Sequence, residues 1–117
     1  MSDDRTPSQG DDSHDDDLHV RAEQDRTETT IILEGEFDLN GTDLFWAVFR
    51  ETLAASPRSI TLHAHGLTFI DSAGLQALLQ ARAAATHAGT AFRVSEASPA
   101  LRRVAEMTGI EDLLEDG

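Results

Sequence analysis

Apolar residues in this chain follow two periods that alternate along its length, and that alternation limits the fold more than any single motif does. Thr29 to Glu34 is β-branched and apolar through Ile31, Ile32 and Leu33, the composition of a central strand. Leu44, Phe45, Val48, Phe49 and Leu53 then recur at helical spacing, over a segment running to about Ala55 and stopped by Ser56-Pro57. Ile60, Leu62 and Ala64 return to period two, alternating with Thr61, His63 and His65. A second helix is expected from near Ser72, with Leu75, Leu78, Leu79 and Ala85 inside and Gly89 at its end. Ala91 to Ser95, built around Phe92 and Val94, reads as another strand. Ser98-Pro99 places a capping serine before a proline at the first helical position, opening a helix that carries Leu101, Val104 and Met107 to Gly109. Ile110, Leu113 and Leu114 make a short closing turn or helix.

Upstream, Leu18, Val20 and Ala22 alternate with His19, Arg21 and Glu23, the period of a half-buried strand. The short polar link Asp25 to Glu28 joins it to the next strand as an antiparallel hairpin. Asn40 is the candidate cap of the first helix, with Thr42 as the alternative. Two strand–helix–strand units in succession require right-handed crossovers and parallel strands. The first strand adds an antiparallel edge. The expected class is α/β: a four-stranded mixed sheet, mostly parallel, with an antiparallel first strand, packed with three to four helices.

The 117 residues suffice for one domain and one core. Residues 1–17 are rich in Asp, Ser and Gly, and Met1 is their only large apolar residue. Such a segment cannot bury enough surface to offset its ordering entropy, so it is expected to be a disordered acidic tail before a domain over residues 18–117. It holds seven Asp against Arg5, a charge of −6 within a total of −13, and all nine basic residues of the chain are arginine. A nucleic-acid binder needs a basic face to meet phosphates, and this composition offers none. The chain has no cysteine, which excludes disulfides, thiolate metal sites and thiol nucleophiles. No apolar stretch approaches the ~20 residues of a membrane-spanning helix, and the start lacks the basic-then-apolar layout of a signal peptide. A soluble, cytoplasmic protein without membrane contact is expected.

Two acidic turns follow apolar strands: Gly35-Glu36-Phe37-Asp38, and Asp71-Ser72-Ala73-Gly74 after the run Leu67 to Ile70. Functional loops of open α/β sheets gather beyond the carboxyl ends of the parallel strands. Topology alone therefore brings Asp38, Asp71 and Ser72 into one exposed patch. At the start of a helix, Asp71 or Ser72 can serve as a plain cap, and Gly74 can simply ease packing. The same position also accommodates an anion, because first-turn N–H groups lack intrahelical partners. Ala73 and Gly74 are small enough to let another protein's active site approach Ser72.

Other constellations are incomplete. His63 and His65 share a strand face, yet no further ligand spacing completes a metal site. The Gly-x-Ser-x-Gly elbow of a serine hydrolase is missing, and a chain without lysine cannot form the Gly-x-x-x-x-Gly-Lys phosphate loop. Trp46 lies at the rim of the first helix's apolar face and reads as a half-buried core edge.

The paired Gly-Glu-x-Asp and Asp-Ser-x-Gly turns, with Thr108-Gly109-Ile110 closing the third helix, resemble the STAS family over roughly residues 18 to 114. Within that family they resemble the small anti-sigma factor antagonists. The resemblance implies a STAS-like form of the sheet described above and makes Ser72 the phosphorylated serine, with Asp71 before it and Gly74 after. Asp38, Asp71, Ser72, Ala73 and Gly74 would then form the partner-binding surface. The implied partners are an anti-sigma factor with serine kinase activity, which the unphosphorylated form would hold so that a sigma factor is released, and a serine phosphatase that reverses the switch. Such a protein is a ligand and substrate, needs no cofactor or metal, and belongs to stress-response or sporulation signalling. Ala73 stands where many antagonists carry a second hydroxyl, which leaves Ser72 as the single acceptor in its turn. The acidic tail has no counterpart in the family pattern. The alternative keeps the fold and changes the partner: a STAS subunit docking on the ATPase of a lipid-type ABC transporter. Serine instead of threonine after Asp71 weighs against that alternative.

Overall fold

A computed structural model describes residues 17–114. β1 (His19–Asp25) and β2 (Glu28–Phe37) form the expected antiparallel hairpin, with Asp25 opposite Glu28 and Arg26 turning at φ 60°. β3 (Ser59–Ile70) runs parallel to β2, and β4 (Ala91–Ser95) parallel to β3, in the spatial order β1-β2-β3-β4. The parallel strands are laid down in one direction across the sheet. Right-handed crossovers therefore put both connecting helices, α1 (Thr42–Ala54) and α2 (Ser72–His87), on the same face. The opposite face is polar: there the Arg93 Nε–H donates to Thr61 Oγ1 at 3.3 Å.

The core lies between the sheet and the helices. Ile31, Leu33, Ile60, Leu62 and Val94 meet Phe45 and Phe49 of α1 and Leu78, Ala81 and Ala85 of α2. α3 (Pro99–Thr108) opens as its sequence indicates: Ser98 Oγ accepts from the Leu101 N–H at 3.2 Å, with Pro99 in the first turn, and Gly109 ends it at φ 75°. A 3-10 turn, Glu111–Leu114, buries Leu113 and Leu114 and closes the domain. Trp46 is half-buried at the rim of the aromatic cluster, edge-on to Phe49 at 5.6 Å, with the Arg50 guanidinium 5.4 Å over its ring.

Four sequence expectations need correction. Ala22 is exposed, because β1 is an edge strand and an open groove beside it lies between Ala22 and Val48, Thr52 and Ala55. In α1 the inner face is Phe45, Phe49 and Thr52, rotated from the expected stripe, so Leu44 is 44% exposed and Leu53 only half-buried. Met107 is 77% exposed, since Leu101 and Ala105 define the buried side of α3 and Met107 lies about 200° around the helix from Ala105. Neither Asn40 nor Thr42 caps α1. Asp38 caps a preceding 3-10 turn, Leu39–Gly41, and α1 then starts after Gly41 with no side-chain cap. The expected disordered tail over residues 1–17 lies outside the described residues except for Asp17. That residue is placed, and it forms an isolated parallel bridge with Glu36.

Candidate functional site

β2 and β3 outrun their neighbours. β4 pairs with β3 only as far as His63, whereas β2 and β3 continue together to the pair Phe37–Ile70. Register shifts between Ile32 and Glu34 and between Gly35 and Glu36 bend this extension, and Gly35 takes φ 97° there. Bulges of this kind re-aim side chains at the ends of paired strands. The segment Gly35–Phe37, expected as a turn, is therefore strand, with Phe37 fully buried.

The two acidic segments meet at the end of this ribbon. The Asp71 N–H donates to the Phe37 carbonyl at 3.3 Å, and the Thr68 hydroxyl donates to the Gly35 carbonyl at 3.3 Å. Gly74 lies underneath, buried against Phe37 and Ile70. A Cβ added to it would collide with the Phe37 carbonyl oxygen and come within 2.9 Å of Ile70 Cγ1. The smallness of Gly74 thus lets α2 sit on β2, and it is not itself an opening to solvent.

Asp71 is the cap of α2: the Gly74 N–H donates to its Oδ1 at 3.0 Å. Ser72 occupies the first helical position and is exposed, and among the described residues its hydroxyl has no hydrogen-bond partner. The capping alternative for Ser72 is thereby removed. The N–H groups of Ser72 and Ala73 fall in the first turn, where no intrahelical acceptor exists. Asp38 is partly exposed on the adjoining junction, its Oδ1 accepting from the Asn40 N–H at 3.0 Å, while the Thr42 hydroxyl donates to the Leu39 carbonyl at 2.9 Å. Leu39 stands 71% exposed between them. Asp38, Asp71, Ser72 and Ala73 reach the surface at one end of the sheet, with Gly74 buried beneath them.

The family model described as "Mlab, STAS domain" matches residues 20–115. The chain belongs to the STAS domain family. Among solved structures, an anti-sigma factor antagonist from Mycobacterium paratuberculosis shares the fold at a TM-score of 0.75 and 22% identity, covering 86% of this chain and 85% of that one. The anti-sigma factor antagonist SpoIIAA in its unphosphorylated form matches at a TM-score of 0.70 and 20% identity, covering 82% of this chain and 85% of that one. The Bacillus cell fate determinant SpoIIAA in its phosphorylated form matches at 0.66 and 20%, over 82% and 88%. A sulfate transporter family protein from Wolinella succinogenes matches at 0.67 and 20% identity, over 79% of this chain and 75% of that one. No curated protein matches the chain in sequence.

This STAS domain also holds residues that its sequence did not single out. Phe37 carries the carbonyl that ties the two junctions, and Thr68 ties the strands just before them. The unnamed position inside Gly-Glu-x-Asp was the available signal for Phe37, since a large aromatic side chain favours burial. His63 is engaged elsewhere: its Nε2 lies 2.8 Å from Glu96 Oε1, and His65 is exposed. No helix of the described residues is long and apolar enough to cross a membrane.

Proposed function

We propose that this STAS domain is an anti-sigma factor antagonist that works by partner switching. Unphosphorylated, it binds an anti-sigma factor that is also a serine kinase, and a sigma factor is released. Phosphorylation of Ser72 ends the binding, and a serine phosphatase restores it. The observation that carries this reading is the division of labour at the start of α2: Asp71 caps the helix, so the exposed Ser72 hydroxyl has no structural task. A phosphate there would meet the free first-turn N–H groups and the positive end of a 16-residue helix, which favours the anion without unfolding the domain. It would also add a charge of about −1.5 to −2 beside Asp71 and near Asp38, repelling a partner seated on that surface. The domain is substrate and ligand; nucleotide, magnesium and base come from the kinase. It acts in the cytoplasm, in stress-response or sporulation signalling, without a cofactor.

The test uses the serine-kinase anti-sigma factors of the same organism, purified and incubated with the protein and ATP. One phosphate per chain is expected, mapped by mass spectrometry to Ser72. Ser72→Ala should lose the label and keep binding, and Ser72→Glu should fold and bind poorly. A phosphate mapped to another residue, or tight binding by the Glu variant, would sink the switch. A second reading keeps the fold and changes the partner, a STAS subunit docked on the ATPase of a lipid-type ABC transporter; the sulfate transporter family structure supports only the occurrence of this fold in transport proteins. Co-purification with a transporter ATPase and absence of the Ser72 label would favour it.

A further inference from the structure

Beside the Ser72 surface, Asp17, Leu18, Asp38, Asn40, Gly41 and Leu44 line a groove of about 290 Å³. Leu18 and Leu44 are its apolar lining and Asp17 and Asp38 its acidic lining, while the exposed Leu39 and Asp43 are chain neighbours of lining residues. Three kinds of occupant can be weighed by charge. Residues 1–16 offer only Met1 as a large apolar side chain and carry six Asp against one Arg, so they would bring like charge to the acidic lining. A second copy would bring a molecule of formal charge −13 to the same lining. A basic protein surface with a protruding apolar side chain satisfies both the apolar and the acidic lining.

The chain's own path adds to this. Asp17 is bridged to Glu36, and Leu18 is buried against Gly41, whose added Cβ would lie 3.0 Å from the Leu18 Cβ. Residues 1–16 are therefore joined in the chain to Asp17, which lines the groove. We infer that the acidic segment 1–16, with its formal charge of −5, is a steering arm for a basic protein partner that seats in this groove next to Ser72. The inference rests on the proposed reading of this end as the docking surface for the anti-sigma factor kinase, and it adds a role for a segment outside the family pattern. Charge at the rim of an interface acts mainly on the rate of encounter and on its salt dependence. Apolar contact in the seat acts mainly on dissociation.

The experiment measures association and dissociation of the kinase that labels Ser72, at 50 mM and 300 mM NaCl. It compares the full chain, a chain lacking residues 2–16, Leu44→Ser and Leu39→Ser, with folding of each checked by circular dichroism. Loss of the arm should slow association about tenfold at low salt, at the low end of known steering effects, and leave dissociation unchanged. The difference should shrink to within about twofold at high salt, where the Debye length is shorter. Leu44→Ser should speed dissociation severalfold. Leu39→Ser, at a position too exposed to threaten the fold, should do the same to a smaller degree. Equal low-salt association rates with and without the arm would overturn the steering role while leaving the switch standing. Unchanged dissociation in both leucine variants would place the seat elsewhere. A dimer of the full chain by sedimentation, broken by Leu44→Ser, would hand the groove to a second copy. If no kinase binds or labels the protein, the function reading and this inference fall together.

Discussion

The two strand-to-helix junctions of this domain begin with the same device and end differently. Asp38 and Asp71 both sit in extended backbone, at φ −120°, ψ −169° and φ −108°, ψ −171°, and each accepts from a nearby amide at 3.0 Å. After Asp71, α2 begins at once, and Gly74 locks its first turn under Phe37. After Asp38, a 3-10 turn intervenes, Leu39 is left in solvent, and α1 starts without a side-chain cap. Similar aspartate caps, one to the amide two residues on and one to the amide three on, therefore precede one junction clamped by packing and another held by exposed hydrogen bonds. The clamped junction presents the serine in a fixed place. The looser one offers apolar contact beside it. The proposed double role of this surface, kinase substrate and docking seat, would be served by that pairing.

The contrast is broken most directly at Gly74. Gly74→Val inserts atoms against a backbone carbonyl and Ile70, neither of which can withdraw cheaply. Overpacking of this kind costs roughly 1–3 kcal/mol and sometimes more, and a loss of about 3 kcal/mol in urea unfolding is expected here. Gly41→Ala, at the other junction, meets only the Leu18 side chain at 3.0 Å, and should lose about 1 kcal/mol. Equal losses at both positions would show that α2 is not clamped to β2.

The caps sharpen the same contrast. Asp71→Ala removes the cap of a 16-residue helix through a part-buried bond and should cost about 1–2 kcal/mol. Asp38→Ala removes an exposed bond to a short 3-10 turn and should cost about 0.5–1 kcal/mol. Denaturant midpoints compared at constant m would settle the order, and a reversed order would mean that the β2–α1 junction carries more of the fold than its exposure indicates.

Much of this was legible in the chain. The period of Ile60, Leu62 and Ala64, the Ser98-Pro99 start and the Gly89 and Gly109 ends all reappear where the residues placed them. The meeting of the two acidic segments followed from parallel topology, and the Phe37–Asp71 hydrogen bond realises it. The extension of β2 to Phe37 was not legible, because two register shifts break the period-two pattern on which a strand is read, whereas the run Leu67 to Ile70 already read as strand. Gly35 between acids reads as a turn, yet here it serves a bulge at φ 97°. The rotation of α1 that exposes Leu44 was equally hidden: Thr52 is buried in place of a leucine, and only the packing of Phe45 and Phe49 reveals which stripe faces the sheet.

The smallest expected effect is at Ser72, and its smallness is the point. Ser72→Ala removes a hydroxyl with no partner among the described residues, from a position that Asp71 has already capped. The unfolding free energy should therefore stay within about 0.5 kcal/mol of the parent, the range of surface changes that touch no special feature. A loss of 1 kcal/mol or more would mean that the serine shares the capping role with Asp71. The division of labour at the start of α2 would then fail, and with it the reason for regarding that hydroxyl as free to be modified. A neutral Ser72→Ala beside a costly Asp71→Ala would separate the two neighbours, assigning the fold to the aspartate and leaving the serine to the switch.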